Sequence, residues 1–405
     1  MLLPVLLASC ESRRPAEPPT AARAALSDSA TVPLTPAVRP DTTDVSRTSF
    51  HFREGHDTTL LIGGQLHRLL LRSETDSTQP LTTVSTGLVG EYFADDTSTF
   101  AQTGRVRGYA GSQVITLLDP SGRLVFRRQL RKQDFFAVAE KEIVTVSQPA
   151  RPYFVGYHAP SQTLVFSIDI GIPASDVGQQ CVVVLGLDGR VRHLVSSYDW
   201  NWGAADCEPR LLPNGTVLTC QALIRPDGRR ISLLKPKSEL VAALVLSDST
   251  LLTVYQYGYY RARPDTSSAA DAAGVSASFS DPEWVSDPRM RRAPNAFVLD
   301  RQGRVRQQFH YQGHYSIIGH VVPRRYVWQT HAYYLLDEAR GLHVLDKHYP
   351  AGVTAVPFQQ MQRFRKPQRP AEVRFVMTTE TTSLAFYVDP AQPTRLRYER
   401  IERPD

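Results

Sequence analysis

Six histidines crowd one stretch of this chain: His310, His314, His320, His331, His343 and His348. Imidazoles are the side chains best suited to hold a transition metal or to trade protons near neutral pH. In extended chain, however, successive side chains alternate faces, and these spacings scatter the rings between turns and opposite sheet faces. We therefore expect surface and hydrogen-bonded histidines rather than a converged metal or catalytic cluster. His320 and His331 are kept as candidate binding residues. No G-x-S-x-G, H-E-x-x-H, Gly-rich phosphate loop or C-x-x-C occurs, so no catalytic residue, metal or cofactor is assigned.

Aromatic clusters are the other chemical resource. SSYDWNWG carries Tyr198, Asp199, Trp200 and Trp202 in a turn-like setting. Trp and Tyr offer large contact areas with a polar handle, which makes Trp200 and Trp202 the foremost contact candidates, with Tyr198 and Asp199 beside them. YQYGYYR places Tyr255, Tyr257, Tyr259 and Tyr260 at alternating or adjacent positions, where packing between sheets is the favoured role over ligand contact. Cys207 and Cys220 flank the turn Pro213-Asn214-Gly215. A type I turn with a glycine bulge pairs Leu212 with Thr216, and by extension Glu208 with Cys220, which puts the two sulfurs on opposite faces; no disulfide between them is expected.

The elements that must position these residues are strands. After about residue 45 the chain is a long series of short apolar segments separated by Gly, Pro, Asp and Asn, without sustained helical periodicity, so the body reads as all-β. One turn recurs: LLDPSGRLVF (Asp119), LGLDGRVRHL (Asp188), LIRPDGRRISLL (Asp227), VLDRQGRVRQQF (Asp300) and LLDEARGLHVL (Asp337). Here Gly accepts positive φ while the Asp carboxylate caps its own turn. The intervals 188 to 227 and 300 to 337 set a unit of about 40 residues, and the longer intervals are single units carrying insertions. Pro213 precedes Asp227 by the same 14 residues that separate Pro323 from Asp337, which makes Gln221 and His331 equivalent. LIGGQLHRLLLRSETDS and VRFVMTTETTSLAFYVDP (Asp389) supply weaker first and last units.

Two hairpins in fixed register within such a unit resemble the four-stranded blade of a β-propeller, over roughly residues 50 to 402. The resemblance implies about seven blades, with the segment near Phe50 closing the ring. It extends to the architecture only: the signatures of WD40, kelch and quinoprotein dehydrogenase repeats are missing. LLPNGTVL is similar to a blade turn of periplasmic aryl-sulfate sulfotransferases, but Asp206-Cys207-Glu208 precede it without a histidine, and no catalytic role is carried over. A large β-sandwich, or two smaller β domains, is the alternative fold. The longest insertion, 261–293, reads as a surface loop.

The N-terminus contributes a different chemistry. MLLPVLLASC ends a short apolar run with Leu7-Ala8-Ser9-Cys10, which resembles the lipobox of bacterial lipoproteins. The resemblance implies cleavage before Cys10 and acylation of its sulfur, giving an anchor to the membrane. No Lys or Arg precedes the run, which is also short; a start further upstream accounts for both. Residues 11–45, rich in Pro, Ala, Ser and Thr, read as a disordered tether, and 46–405 as the propeller. With Lys and Arg at 46, Asp and Glu at 40 and pI near 9.1, the charge is mildly basic. It is dispersed along the chain, as on a solvated surface, and nucleic acid is not expected as a partner. The sequence thus describes a lipid-anchored, periplasmic-side binding or scaffolding module of the bacterial envelope, for a protein or small-molecule partner. A hydrolase or transferase with its site in the propeller channel is the alternative.

Overall fold

The computed structural model describes residues 54–85, 104–173, 175, 177–199, 205–261, 283–316, 319–347 and 352–401. Cys10, the tether, Phe50, Trp200, Trp202 and His348 lie outside them, as do the side chains of Tyr198 and Asp199. The described residues form antiparallel sheets met one after another along the chain. The first holds β1 (Thr58–Ile62), β2 (Gln65–Val84), β3 (Arg105–Leu118) and β4 (Leu124–Arg131) in sequence order. A short helix, α1 (Lys141–Val146), leads to the second, in which β5 (Gln148–Pro149) and β6 (Tyr153–His158) both pair with β7 (Thr163–Gly171), followed by β8 (Gly178–Gly186) and β9 (Val191–Asp199).

After β10 (Asp206–Cys207), the third sheet is a compact meander of β11 (Arg210–Leu211), β12 (Val217–Leu218), β13 (Ala222–Ile224) and β14 (Arg230–Ser232). The fourth contains β15 (Ser238–Ser247), β16 (Thr250–Arg261), β18 (Ala296–Asp300) and β19 (Val305–Phe309), with β17 (Glu283–Ser286) extending the far end of β16 and β10 lying parallel to β15. A two-stranded ladder, β20 (Tyr315–Ser316) and β21 (His320–Val321), precedes the fifth sheet, formed by β22 (Arg324–Val327), β23 (Ala332–Asp337), β24 (Gly341–Asp346) and β25 (Val353–Pro357). The sixth joins β26 (Gln362–Arg363), β27 (Val373–Thr378), β28 (Ser383–Asp389) and β29 (Gln392–Ile401).

The repeated turn is where the sequence places it. Asp119, Asp188, Asp227, Asp300, Asp337 and Asp389 sit at the β3–β4, β8–β9, β13–β14, β18–β19, β23–β24 and β28–β29 hairpins. Each carboxylate accepts a backbone N–H two residues on: from Ser121, Arg190, Arg229, Gln302, Ala339 and Ala391, at 2.8 to 3.2 Å. The turns also dock one sheet on the previous one. A Cβ on Gly189 would stand 2.9 Å from Phe126, one on Gly303 3.0 Å from Ile231, and one on Gly228 3.7 Å from His193. Each contact joins a turn to the last strand of the preceding sheet, so these turns share one end of the fold.

Apolar seams follow the same order. Leu69, Ile115 and Phe126 meet Phe166, Ile168 and Val183 between the first and second sheets, and Val182 and Val195 meet Val217 and Ile224 between the second and third. Leu218 and Leu223 meet Tyr255 and Phe297, Val254 and Val298 meet Leu335 and Leu345, and Tyr334 and Leu342 meet Phe375 and Phe386. The second to fifth sheets each join two seams, and long strands such as β8 are buried throughout, as strands covered on both sides must be, whereas β2, β4 and β27 of the first and sixth sheets carry one buried face.

One expectation is corrected. Cys207 and Cys220 form a disulfide, with Cα atoms 5.7 Å apart. The turn register is as read, with Leu212 N–H donating to Thr216 and Arg210 opposite Leu218. The extrapolation fails beyond it. β11 begins only at Arg210, β10 before it pairs with β15 instead, and Cys220 adopts a left-handed backbone (φ 68°) that turns its Cβ off the strand alternation. Cys181 remains a buried free thiol, pushed up to about 12 by burial.

Candidate ligand-binding cleft

At the end of the sheets opposite the aspartate turns, several connections converge on a cleft of about 400 Å3. Ser197 comes from β9, Gln221 from the β12–β13 turn, Lys237 and Glu239 from the start of β15, Tyr259 and Tyr260 from the far end of β16, and Trp284 from β17. The β16 tyrosines divide sharply. Tyr255 and Tyr257 are buried and donate to the carbonyls of Leu233 and Pro294 at 2.7 and 2.6 Å, whereas Tyr259 and Tyr260 are 48% and 43% exposed. The favoured packing role thus holds for the first two alone. Past Tyr257 the strand leaves the sheet, paired only with β17, so Tyr260 stands directly opposite Trp284.

That pair forms an aromatic corner, with ring centroids 4.9 Å apart and planes at 68°. The indole lies against Gly258, where a Cβ would come within 2.4 Å of the ring and 2.5 Å of the Val285 carbonyl; only a glycine admits this approach. Burial and the nearby Glu239 carboxylate push the Tyr260 hydroxyl up to about 12, and it donates to Glu239 at 3.5 Å. The indole N–H of Trp284 is buried without a hydrogen-bond partner.

Glu239 also reaches inward. Its carboxylate stands 3.4 Å from Nε2 of His320, which is buried on β21, and His314 packs edge-on against that imidazole at 5.7 Å. Neither ring nitrogen of His320 makes a hydrogen bond. Burial, reinforced by His320, holds His314 down to about 4, so it is neutral at physiological pH. The other histidines go elsewhere. His310 contacts the Met290 carbonyl and Arg340, His343 packs on Phe309 and Tyr311, and His331 is exposed at the start of β23 in a left-handed conformation (φ 51°). His331 and its repeat equivalent Gln221 therefore differ in setting, since Gln221 lines the cleft. Among the described residues no three His, Cys, Asp or Glu converge as metal ligands. Tyr198 and Asp199 close β9 opposite Gln180 and Gln179.

Glu239, Lys237 and Trp284 were not singled out in the sequence. Trp284 has the clearest available signal: EWVS, an adjacent aromatic and β-branched pair flanked by polar residues, is a short strand within the stretch that reads as a surface loop. Two further clefts, of about 430 and 460 Å3, are lined by Lys132 and by Asp206 and Arg324. Lys132, Asp206 and Arg324 are engaged within the fold. Lys132 donates to the Thr145 carbonyl at 2.9 Å, and Arg324 pairs with Asp206 while the Val322 N–H donates to the same carboxylate at 2.8 Å.

No family model and no curated protein sequence matches the chain. Among solved structures, it is similar to the acylaminoacyl peptidase of Pyrococcus horikoshii at 15% identity and a TM-score of 0.21, covering 62% of this chain and 46% of that one, so it spans less than half of that protein. The β-propeller domain of the Trilobed protease from Pyrococcus furiosus aligns at 7% identity and a TM-score of 0.21, over 88% of this chain and 97% of that domain. An apocarotenoid oxygenase mutant from Synechocystis aligns at 10% identity and 0.20, over 87% and 74%. At such scores the description of the fold rests on its own strand order: an all-β succession of antiparallel sheets. No helix among the described residues is long and apolar enough to cross a membrane.

Proposed function

We propose that this chain is a binding module of the bacterial envelope, lipid-anchored through Cys10 on the periplasmic side, with a β-propeller body of about seven blades. Its ligand occupies the cleft at Tyr259, Tyr260 and Trp284. The observation that carries this reading is the exposed aromatic corner beside a buried, unpartnered indole N–H, ringed by Gln221, Lys237 and Glu239. Flat aromatic faces with polar groups at their rim suit a ligand that has both apolar ring faces and hydroxyls, such as an oligosaccharide. Six successive sheets bearing the same turn support the radial repeat. The Cys207–Cys220 disulfide supports an oxidising compartment.

The hydrolase or transferase alternative draws on the contact between Glu239 and His320. It is the weaker reading, because no hydroxyl or thiol among the described residues hydrogen-bonds either nitrogen of His320, and an activated nucleophile needs that contact. Titration of intrinsic tryptophan fluorescence with an oligosaccharide panel tests the proposal. A saturable change that weakens about tenfold in Tyr260→Ala, roughly 1.4 kcal/mol, supports it; no response to any sugar overturns the assignment of ligand class.

A further inference from the structure

We propose that the cleft of about 430 Å3 between the first and second sheets is a binding site for a small organic oxyanion, whose charged group sits at Lys132 and Arg107. Lys132 directly follows β4 and is only 3% exposed. A lysine is seldom buried without a carboxylate to pair it, yet the one hydrogen bond of this side chain among the described residues goes to the Thr145 carbonyl, at 2.9 Å. An ammonium carries three protons, so two remain to be taken up. Glu142, the buried acid on α1, accepts from the Ser85 hydroxyl at 2.6 Å instead. Burial alone holds the Lys132 ammonium down to about 8, with no acid near enough to raise it, and it is charged at neutral pH.

The fold builds the cleft around that ammonium. β3 lies on α1 at Gly108, where a Cβ would come within 2.0 Å of the Thr145 carbonyl oxygen. Bare backbone therefore covers the oxygen that holds Lys132, and the same passage of β3 brings the exposed Arg107 to the cleft. No Asp or Glu is among the described residues that line it; Thr75 and Gln148 add neutral polar groups, and Tyr109 and Ile172 an apolar wall. Two cations without an acid draw an anion, and guanidinium and ammonium groups are the usual partners of carboxylate and phosphate oxygens. The cavity is larger than an inorganic ion fills and falls in the range of small-molecule pockets, so the ligand carries an organic body against Tyr109. The site shares no residue with the aromatic cleft, and it stands whether or not that cleft takes a sugar.

Titration calorimetry of the full chain with phenyl phosphate, benzoate, benzyl alcohol and inorganic phosphate tests the proposal. At least one of the two aromatic anions is expected to bind saturably, about tenfold or more tighter than the neutral benzyl alcohol, and the tighter of the two tells phosphate from carboxylate recognition. Inorganic phosphate should bind more weakly than phenyl phosphate, because it leaves the apolar wall bare. Lys132→Met, similar in length and uncharged, and Arg107→Gln, at an exposed position, should each weaken the tighter anion about tenfold or more. The unfolding midpoint of each variant without ligand is the control for folding, and where Lys132→Met lowers it, Arg107→Gln decides. Benzyl alcohol binding as tightly as the anions, inorganic phosphate binding as tightly as phenyl phosphate, variants that bind like the parent, or no saturable binding of either aromatic anion overturns the proposal.

Discussion

The two ends of the sheets are built on opposite terms. At one end, six aspartate turns satisfy their own backbone, and the turn glycines of the second, third and fourth sheets dock on the sheet before. At the other, the connections differ from sheet to sheet and gather the aromatic corner and the Glu239–His320 contact; buried polar atoms without hydrogen bonds occur at both ends, Asp300 Oδ2 and Asp337 Oδ2 at the first, Trp284 Nε1 and both nitrogens of His320 at the second. Buried polar atoms are normally paired, and each exception asks for a reason. The repeated end assembles the fold by docking sheet on sheet, and the irregular end offers a ligand an open cleft with aromatic faces.

The largest test of that contrast lies between the ends. Asp206 precedes the third sheet, lies beside β15 of the fourth, and holds Val322 and Arg324 at the start of the fifth. Asp206→Ala leaves a buried guanidinium unpaired and is expected to cost about 3–5 kcal/mol in urea unfolding. Next is the disulfide behind the cleft. Removing both Cys207 and Cys220 as serines releases a 13-residue separation and should cost about 3 kcal/mol, matched by adding reductant to the parent.

The imidazoles at the irregular end carry a pH signature. An unfolded chain protonates His314 near 6.5, whereas the fold accepts that proton only near 4. Between those values the unfolded state binds more protons, so this contribution is complete above pH 6.5 and is lost as pH falls towards 4. It amounts to at most about 3 kcal/mol. Denaturant midpoints from pH 7 to 4 should fall less steeply in His314→Gln. A smaller effect comes from Gly258→Ala, whose new methyl displaces the indole of Trp284. A shift in tryptophan emission is expected, with about tenfold weaker ligand binding, near 1.4 kcal/mol. Smallest is Asp227→Ala at the repeated end, expected to cost about 1 kcal/mol of stability without changing ligand affinity.

This contrast also explains what the sequence disclosed. The aspartate turns, the shared spacing of the two units around Pro213 and Pro323, and the insertions that lengthen two units are local chemistry: the carboxylate, the glycine and the strand alternation all act within short stretches of chain. Tyr255 and Tyr257 pack as their alternation suggests. The cleft is not local. Glu239 meets His320, and Tyr260 meets Trp284, only because separate strands converge, and no periodicity announces it. The Cys207–Cys220 bridge escaped for a related reason, since a single left-handed residue at Cys220 and the departure of β10 break the register from which the geometry was extrapolated.

Thermal unfolding of the parent, Tyr260→Ala and Asp227→Ala, with and without oligosaccharide, tests the division between the two ends most directly. A ligand at 100 times its dissociation constant adds about 2.7 kcal/mol, and the midpoint should rise by about 2 °C or more. The account predicts that rise in the parent and in Asp227→Ala, and its loss in Tyr260→Ala. A rise that survives in Tyr260→Ala, or one abolished by Asp227→Ala, would contradict it.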